Sequence, residues 1–373
     1  RPSCCRQARN NPVDCQLASP LGIEFPSPTL LRIAYYYHQG KRLPADDPGN
    51  NPYGELLCTS LERRGVHVEF EVDYSQKYLL RNQGRIDVLH FNWPHHDYYH
   101  EDAAVMASQM QDFVRSLETA RELGYKIVWT AHNLYPHNRT HQEIDHQFRL
   151  EICRLSTAVI SHCKVAADAV TKHFGPLPKL FIIPHGHFIG VHSPDVTREQ
   201  ARSELGIPRD AFVYGFFGGF QPYKGVEQLM DALRTLPQED SWLAAAGGGR
   251  PDYRNTLQRY TQQHPRIVLR TYPRAPNRDL FLVLQGADVM VLPFVATMTS
   301  GSLILALSWG KPVIAPAFGC LPKTVREDAG ILYDPEQEDG LYQAMQQIHQ
   351  DCIIDKQPPL LMEFRHGGFP EPK

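Results

Sequence analysis

The sequence has almost no charge bias. Across 373 residues, 38 Lys and Arg face 41 Asp and Glu, a net charge of −3, and the pI is near 6.7. That balance argues against a protein held on nucleic acid chiefly through phosphate neutralisation. Long apolar runs are missing too. A membrane-spanning helix needs about 18 or more consecutive apolar residues, whereas the most apolar stretches, 30–37 and 303–309, have the length of a buried strand or helix face. A mean hydropathy of −0.39 agrees. No CxxC pair occurs among the eight cysteines: Cys4, Cys5 and Cys15 lie in a Pro-, Arg- and Asn-rich leader, and Cys58, Cys153, Cys163, Cys320 and Cys352 are scattered singly. The expectation is single thiols in a reducing compartment rather than a disulfide framework. The leader lacks the apolar core of a signal peptide, and without an initiating Met the native start is expected elsewhere. Histidine is plentiful at 18, but HExxH is absent. His95, His96 and His100 fall in an apparent loop after Trp93-Pro94, without metal-ligand spacing, so no metal site is expected.

What remains is a composition suited to a globular enzyme, 42% hydrophobic and 21% charged, with length enough for about two domains. β-rich runs at 31–37, 66–72, 86–91, 125–130, 158–161 and 180–183 alternate with helical patterns at 53–64, 103–123, 143–155 and 165–174. A second series has strands at 212–217, 242–246, 267–270, 288–293 and 312–315, and helices at 225–236, 253–263, 278–285 and 301–309. Such alternation predicts an α/β protein with parallel sheets and crossover helices. Two series predict two doubly wound domains, divided within the Gly-, Pro-, His- and Ser-rich stretch 186–208.

Ligands in open parallel sheets lie beyond the carboxyl ends of the strands, so the residues just after each strand are the candidates. Gly218-Gly219-Phe220-Gln221-Pro222-Tyr223-Lys224-Gly225 would let backbone approach a ligand and bring a cation to a helix start, where N–H groups favour anions. It is not a GxxxxGK[ST] phosphate loop, and the plainer reading is a strand–helix turn with a solvated lysine. Thr299-Ser300-Gly301-Ser302 precedes the apolar helix at 303–307; it is either a second anion-binding helix start or an ordinary N-cap. Two such starts in one domain suit a diphosphate. Thr130-Ala131-His132-Asn133 ends a first-domain strand, where an imidazole serves in substrate contact or proton transfer, or is simply a turn histidine. Asn92-Trp93-Pro94-His95 holds the equivalent place after its own strand; its Trp suits a sugar face or rim packing.

Together these segments resemble the family-four glycosyltransferases of the GT-B architecture. The second half carries GGFQPYKGVEQL at 218–229, ADVMVLP at 287–293, GKPVIAPAFGCLPKTV at 310–325 and GILYDP at 330–335. The first half resembles a bacterial subgroup through NPYGELLCTSLERRGVHV at 51–68, VWTAHNLYPH at 128–137 and IPHG at 183–186. The resemblance spans about residues 30–350 and implies transfer of a sugar from a UDP- or GDP-linked donor to a glycan or lipid-linked glycan. It divides the chain into an unassigned leader 1–28, an acceptor-side Rossmann-like domain 29–186, a nucleotide-sugar-binding Rossmann-like domain 187–350 and an irregular tail 351–373. By the same resemblance Gly219, Gln221, Lys224 and Thr299 to Ser302 contact the donor diphosphate, Arg270 and Tyr272 the base, His132 the transferred sugar as catalytic residue, and Asn92, Trp93, His95 and Asn133 the acceptor side. It implies no cofactor or bound metal, in keeping with the lack of a DxD-like motif beside the phosphate segments, since positive side chains and helix dipoles stabilise the leaving diphosphate. It also implies polysaccharide or glycolipid assembly in the cytoplasm, with peripheral contact at the inner face of the membrane and no nucleic-acid partner.

The chain departs from the family at several places. Thr297 and Leu305 stand where two glutamates are common, Gly219 stands where the glycine loop usually has arginine, and Lys323 follows Leu-Pro in place of glutamate. Two other functions therefore stand beside transfer: a nonenzymatic sugar-nucleotide-binding scaffold, and a GT-B nucleotide-sugar epimerase, which would need further carboxylates in the cleft.

Overall fold

The alternating segments build two parallel sheets in the computed structural model, which describes residues 30–37, 51–70, 73–137, 140–177, 179–191, 196–237, 239–262 and 264–355. The first half supplies strands β1 (Arg32–Tyr36), β2 (His67–Glu69), β3 (Val88–Phe91), β4 (Lys126–Thr130), β5 (Ala158–Ser161) and β6 (Leu180–Ile182), with helices α1 (Tyr53–Glu62), α2 (Gln76–Asn82), α3 (Ala103–Glu122), α4 (Gln142–Leu155) and α5 (Lys164–Phe174). The second supplies β7 (Phe212–Phe220), β8 (Ser241–Gly249), β9 (Ile267–Tyr272), β10 (Val289–Val291), β11 (Val313–Pro316) and β12 (Gly330–Tyr333). Its helices are α6 (Arg198–Leu205), α7 (Val226–Thr235), α8 (Pro251–Gln262), α9 (Asn277–Gly286), α10 (Gly301–Ser308), α11 (Leu321–Thr324) and α12 (Gly340–Asp355). Strand orders are β2-β1-β3-β4-β5-β6 and β12-β11-β10-β7-β8-β9. The order reverses between β1 and β3 in one sheet and between β7 and β10 in the other, the switch points where such sheets take ligands.

Burial explains the alternation. A parallel sheet covered on both faces reads as a continuous apolar run, and Phe212 to Phe217 of β7 are all buried. On α7 the buried residues are Val226, Leu229, Met230 and Leu233, one stripe at helical spacing. Each fully buried side chain of this size contributes about 1.5–3 kcal/mol. The nearly all-apolar α10 is buried through Leu303, Ile304, Ala306 and Leu307. The domains also share contacts. Tyr53 of α1 packs into the second domain's core with Phe188, Met298 and Cys320 pack with the first domain's core, and the His137 ring stacks on Tyr223 at 3.9 Å.

Several expectations need correction. β7 and β8 run on through their glycines, pairing Gly218 with Gly247, Gly219 with Gly248 and Phe220 with Gly249. The glycines read as a turn, yet a Cβ on Gly247 would lie 2.2 Å from the Gly218 carbonyl oxygen, so glycine is what lets this part of the sheet form. α6 lies in the stretch read as a break; its signal was the Thr197–Gln200 capping box. The tail expected to be irregular from Asp351 begins as the last turns of α12; residues 356–373, like the leader 1–28 with Cys4, Cys5 and Cys15, lie outside the described residues. The reading of the cysteines as single thiols fails for Cys163 and Cys320, which form a disulfide between the domains with Cα atoms 5.7 Å apart and a separation of 157 positions in sequence. Cys163 caps α5 after β5 and Cys320 precedes α11 after β11, so two carboxyl-end loops meet across the cleft. Cys58 and Cys153 are buried thiols. Among the described residues no helix is long and apolar enough to cross a membrane.

Candidate active site

A cavity of about 540 Å³ lies beyond the carboxyl ends of β7, β8 and β9 and faces the first domain. Its floor is Gly218 and Gly219 of β7 and Gly248 and Gly249 of β8, one wall is Gly301, Ser302 and Leu305 of α10, and another is the segment after β9, from Pro273 to Ala275, with α9. Asn51 and Pro52, at the start of α1, close it from the first domain. Gly218 has φ 130°, a value side chains avoid, and a Cβ there would lie 3.2 Å from Ser302 Oγ. The bare backbone of β7 and the start of α10 therefore meet in one corner, with the helix presenting its unpaired N–H groups.

Lys224 supplies the charge in that corner. It ends a 3-10 turn at Pro222–Lys224, and Gly225, at φ 70°, leads into α7. Its ammonium lies over the rings of Tyr223 and Phe294, at 5.2 and 4.6 Å, and lines the cavity. Burial lowers it to about 8, and among the described residues no carboxylate contributes to that shift. A half-buried cation whose neighbours are aromatic faces is a ready partner for an anion. Gln221 lines the cavity beside it, and Arg274 adds a second cationic side chain.

In the α10 segment the residues divide. Ser300 is buried and its hydroxyl accepts the Leu303 N–H at 3.3 Å, which makes it the N-cap of α10. Gly301 and Ser302 face the cavity, and Thr299 is not among its lining residues. Thr297 hydrogen-bonds the Thr299 carbonyl at 2.7 Å, Leu305 presents an apolar wall, and Lys323 is exposed on the surface. Arg270 and Tyr272 are also outside the lining. Arg270 pairs with Asp279 and donates to the Glu204 carbonyl at 2.7 Å, and Tyr272 hydrogen-bonds Asp279. The reason is register: β9 continues two residues beyond the expected end at 270, so Pro273, Arg274 and Ala275 are the residues that follow the strand. Arg274 was missed for that reason alone.

The first-domain candidates assemble beside the Asn51–Pro52 wall. Tyr53, the next residue, sets its ring edge-on to His132 at 4.8 Å and lies 4.7 Å from His185. Trp93 stacks on His132 at 4.2 Å. His132 Nε2 meets Asn92 Oδ1 at 3.0 Å and His132 Nδ1 meets His162 Nε2 at 3.1 Å, so both ring nitrogens have protein partners. His132 is 4% exposed, and burial with the fields of His162, His185 and His90 holds it well below the usual histidine range. Asn133 is half-buried at the carboxyl end of β4, and the His95 ring lies tilted against His96 at 4.2 Å in the 3-10 turn at Pro94–Asp97. His162 and His185 were not singled out from sequence, although each follows a first-domain strand, as His132 does. Among the described residues no three His, Cys, Asp or Glu side chains form a metal-binding group.

Residues 211–351 match the model of the family described as glycosyl transferases group 1. A GDP-mannose:glycolipid 4-beta-D-mannosyltransferase of Xanthomonas campestris pv. campestris is 28% identical over 234 residues, 62% of this chain and 62% of its own. A D-inositol 3-phosphate glycosyltransferase of Corynebacterium aurimucosum is 25% identical over 246 residues, 60% of this chain and 58% of its own. The chain thus spans about three fifths of the length of these curated relatives. Among solved structures, Anabaena HepE in complex with UDP and glucose covers 89% of this chain and 92% of its own at a TM-score of 0.62 and 19% identity. Sucrose-phosphate synthase from Thermosynechococcus elongatus has the same coverage and TM-score at 18% identity.

Proposed function

We propose, for a chain whose residues 211–351 belong to the group 1 glycosyltransferases and whose two domains form the GT-B fold, that it transfers a hexose from a UDP- or GDP-linked donor to a glycolipid or glycan acceptor. The observation that carries this reading is Lys224, a half-buried cation in a cavity floored by glycine backbone and walled by the start of α10. A diphosphate there would accept hydrogen bonds from Lys224 Nζ and from the Gly301 and Ser302 N–H groups, and these donors stabilise the charge that grows as the sugar departs. Positive groups and oriented N–H groups perform that task without a metal. The base would lie against the segment Pro273 to Ala275. The acceptor would enter from the first domain, past Asn92 and Trp93.

The glycolipid acceptor named for the Xanthomonas relative supports a lipid-linked acceptor here, met from the cytoplasm at the inner face of the membrane. Phe181, Ile182 and Ile183, each 50% exposed on and just after the edge strand β6, support peripheral contact with such a surface. The test is turnover of GDP-mannose and UDP-glucose with a lipid-linked glycan extract as acceptor. Acceptor-dependent release of nucleoside diphosphate is expected, and release that ignores the acceptor overturns transfer. A second reading, binding without turnover, is favoured by Leu305, which puts an apolar side chain on the cavity wall; tight donor binding with no product would select it.

A further inference from the structure

Four imidazole nitrogens form one hydrogen-bonded chain in the first domain. The Ile183 carbonyl faces His162 Nδ1 at 3.0 Å, His162 Nε2 faces His132 Nδ1 at 3.1 Å, and His132 Nε2 faces Asn92 Oδ1 at 3.0 Å. The Asn92 amide is oriented from its other end, where Nδ2 donates to the Tyr36 carbonyl at 3.3 Å; Oδ1 is therefore the atom turned to His132. Both ends of the chain are acceptors. Three contacts need three N–H protons, and two neutral imidazoles carry only two. The chain is complete when the pair holds one extra proton. Without it, one lone pair faces another in a buried place, an arrangement that is costly.

In the free protein the surroundings oppose that proton. The titratable groups around His132 are His162 after β5, His185 after β6, His90 on β3 and Tyr53 on α1, whose hydroxyl pairs with Thr130. Among the described residues no carboxylate acts on His132, and burial lowers His162 as well. The missing negative charge is what the proposed donor would bring. Asn51 and Pro52 line the cavity, and Tyr53, next in sequence, touches His132 and His185. Two negative charges at about 10 Å, with an effective dielectric near 20, raise proton affinity on the order of a hundredfold.

We propose that His132 and His162 act as one proton-binding unit that takes up a proton from solvent when the nucleotide diphosphate enters the cavity. The inference rests on the donor reading above. A proton leaves buffer or water and joins the pair; no bond to the donor forms. Completion of the chain fixes Asn92, and with it the loop that carries Trp93, on the acceptor side. The two histidines are positioning residues, because neither ring has a nitrogen left for substrate.

The test is calorimetry of GDP-mannose and of UDP-glucose binding at pH 6.5, in buffers of different ionisation enthalpy. At that pH Lys224, lowered to about 8, is already protonated, and the diphosphate diesters do not titrate. The expected result is net proton uptake on donor binding, at most about one proton per donor and rising as the pH is lowered below 6.5. In His162→Gln binding persists and the uptake vanishes. In Asn92→Asp the new carboxylate charges the pair beforehand, so the uptake also vanishes, and the NMR titration of His132 in the free protein moves upward. Equal uptake in all three proteins overturns the inference, as does donor binding by the wild type with no uptake, which leaves the donor reading intact. No binding of either nucleotide sugar overturns the donor reading and the inference together.

Discussion

Lys224 is where position and charge conflict most openly. Burial lowers its ammonium from 10.5 to about 8, so the protonated side chain opposes folding. The penalty is full below about pH 8, fades as pH rises towards 10.5, and is gone above it. Lys224→Met is therefore expected to be more stable than wild type at pH 7, by roughly 1–3 kcal/mol in urea unfolding, with the gap closing towards pH 10.5. The same change should weaken nucleotide-sugar binding by roughly 10- to 100-fold, the worth of a hydrogen bond to a charged group. Wild-type affinity should also decline as pH rises through about 8, and this decline should be missing in the variant. Titration calorimetry from pH 6.5 to 9.5 checks both. Lys224 was legible in sequence because glycines and a lysine together before a helix suggest an anion. Arg274 and His162 were not, since a lone arginine or histidine carries no such context and only the fold shows what it faces.

At the scale of elements, the existence and order of most strands and helices could be read from apolar periodicity, while their ends could not. Glycine is depleted in strands, but in β7 and β8 facing glycines let the strands continue, and this moves the cavity floor into the sheet itself. In β9 two more paired residues moved the candidate contacts from Arg270 and Tyr272 to the segment after them. α6 is held by a contact no pattern announces. Arg202, 2% exposed, donates to the carbonyls of Gly286 at 3.0 Å and Ala211 at 2.7 Å and pairs with Asp288 at 2.7 Å. Arg202→Leu leaves the two carbonyls without that donor and Asp288 with only Arg198 and the Val213 N–H, and is expected to destabilise the protein by about 3–5 kcal/mol, read as a lowered urea midpoint. Gly225→Ala tests the turn below Lys224: with φ 70° and a Cβ 1.9 Å from the Pro293 carbonyl oxygen, it should cost more than about 2 kcal/mol. Gly65→Ala, also at positive φ but with nothing within 4 Å, should cost only about 1 kcal/mol.

The whole molecule is two sheets whose carboxyl edges face one cleft, and the contacts that join them could not be read from sequence. Cys163 and Cys320 stand far apart in a chain that otherwise reads as one of single thiols, and only the pairing of two strand-end loops brings them together. Reduction of this disulfide should lower the melting temperature, with a loss of about 2–4 kcal/mol. Cys320→Ser should melt like the reduced wild type and be insensitive to reductant. What fills the cleft is decided by a crystal structure with GDP-mannose or UDP-glucose. The diphosphate is expected within hydrogen-bonding reach of Lys224 Nζ and of the Gly301 and Ser302 N–H groups, with the sugar turned towards the first domain. A nucleotide bound elsewhere, or a diphosphate remote from Lys224 and the start of α10, would contradict it.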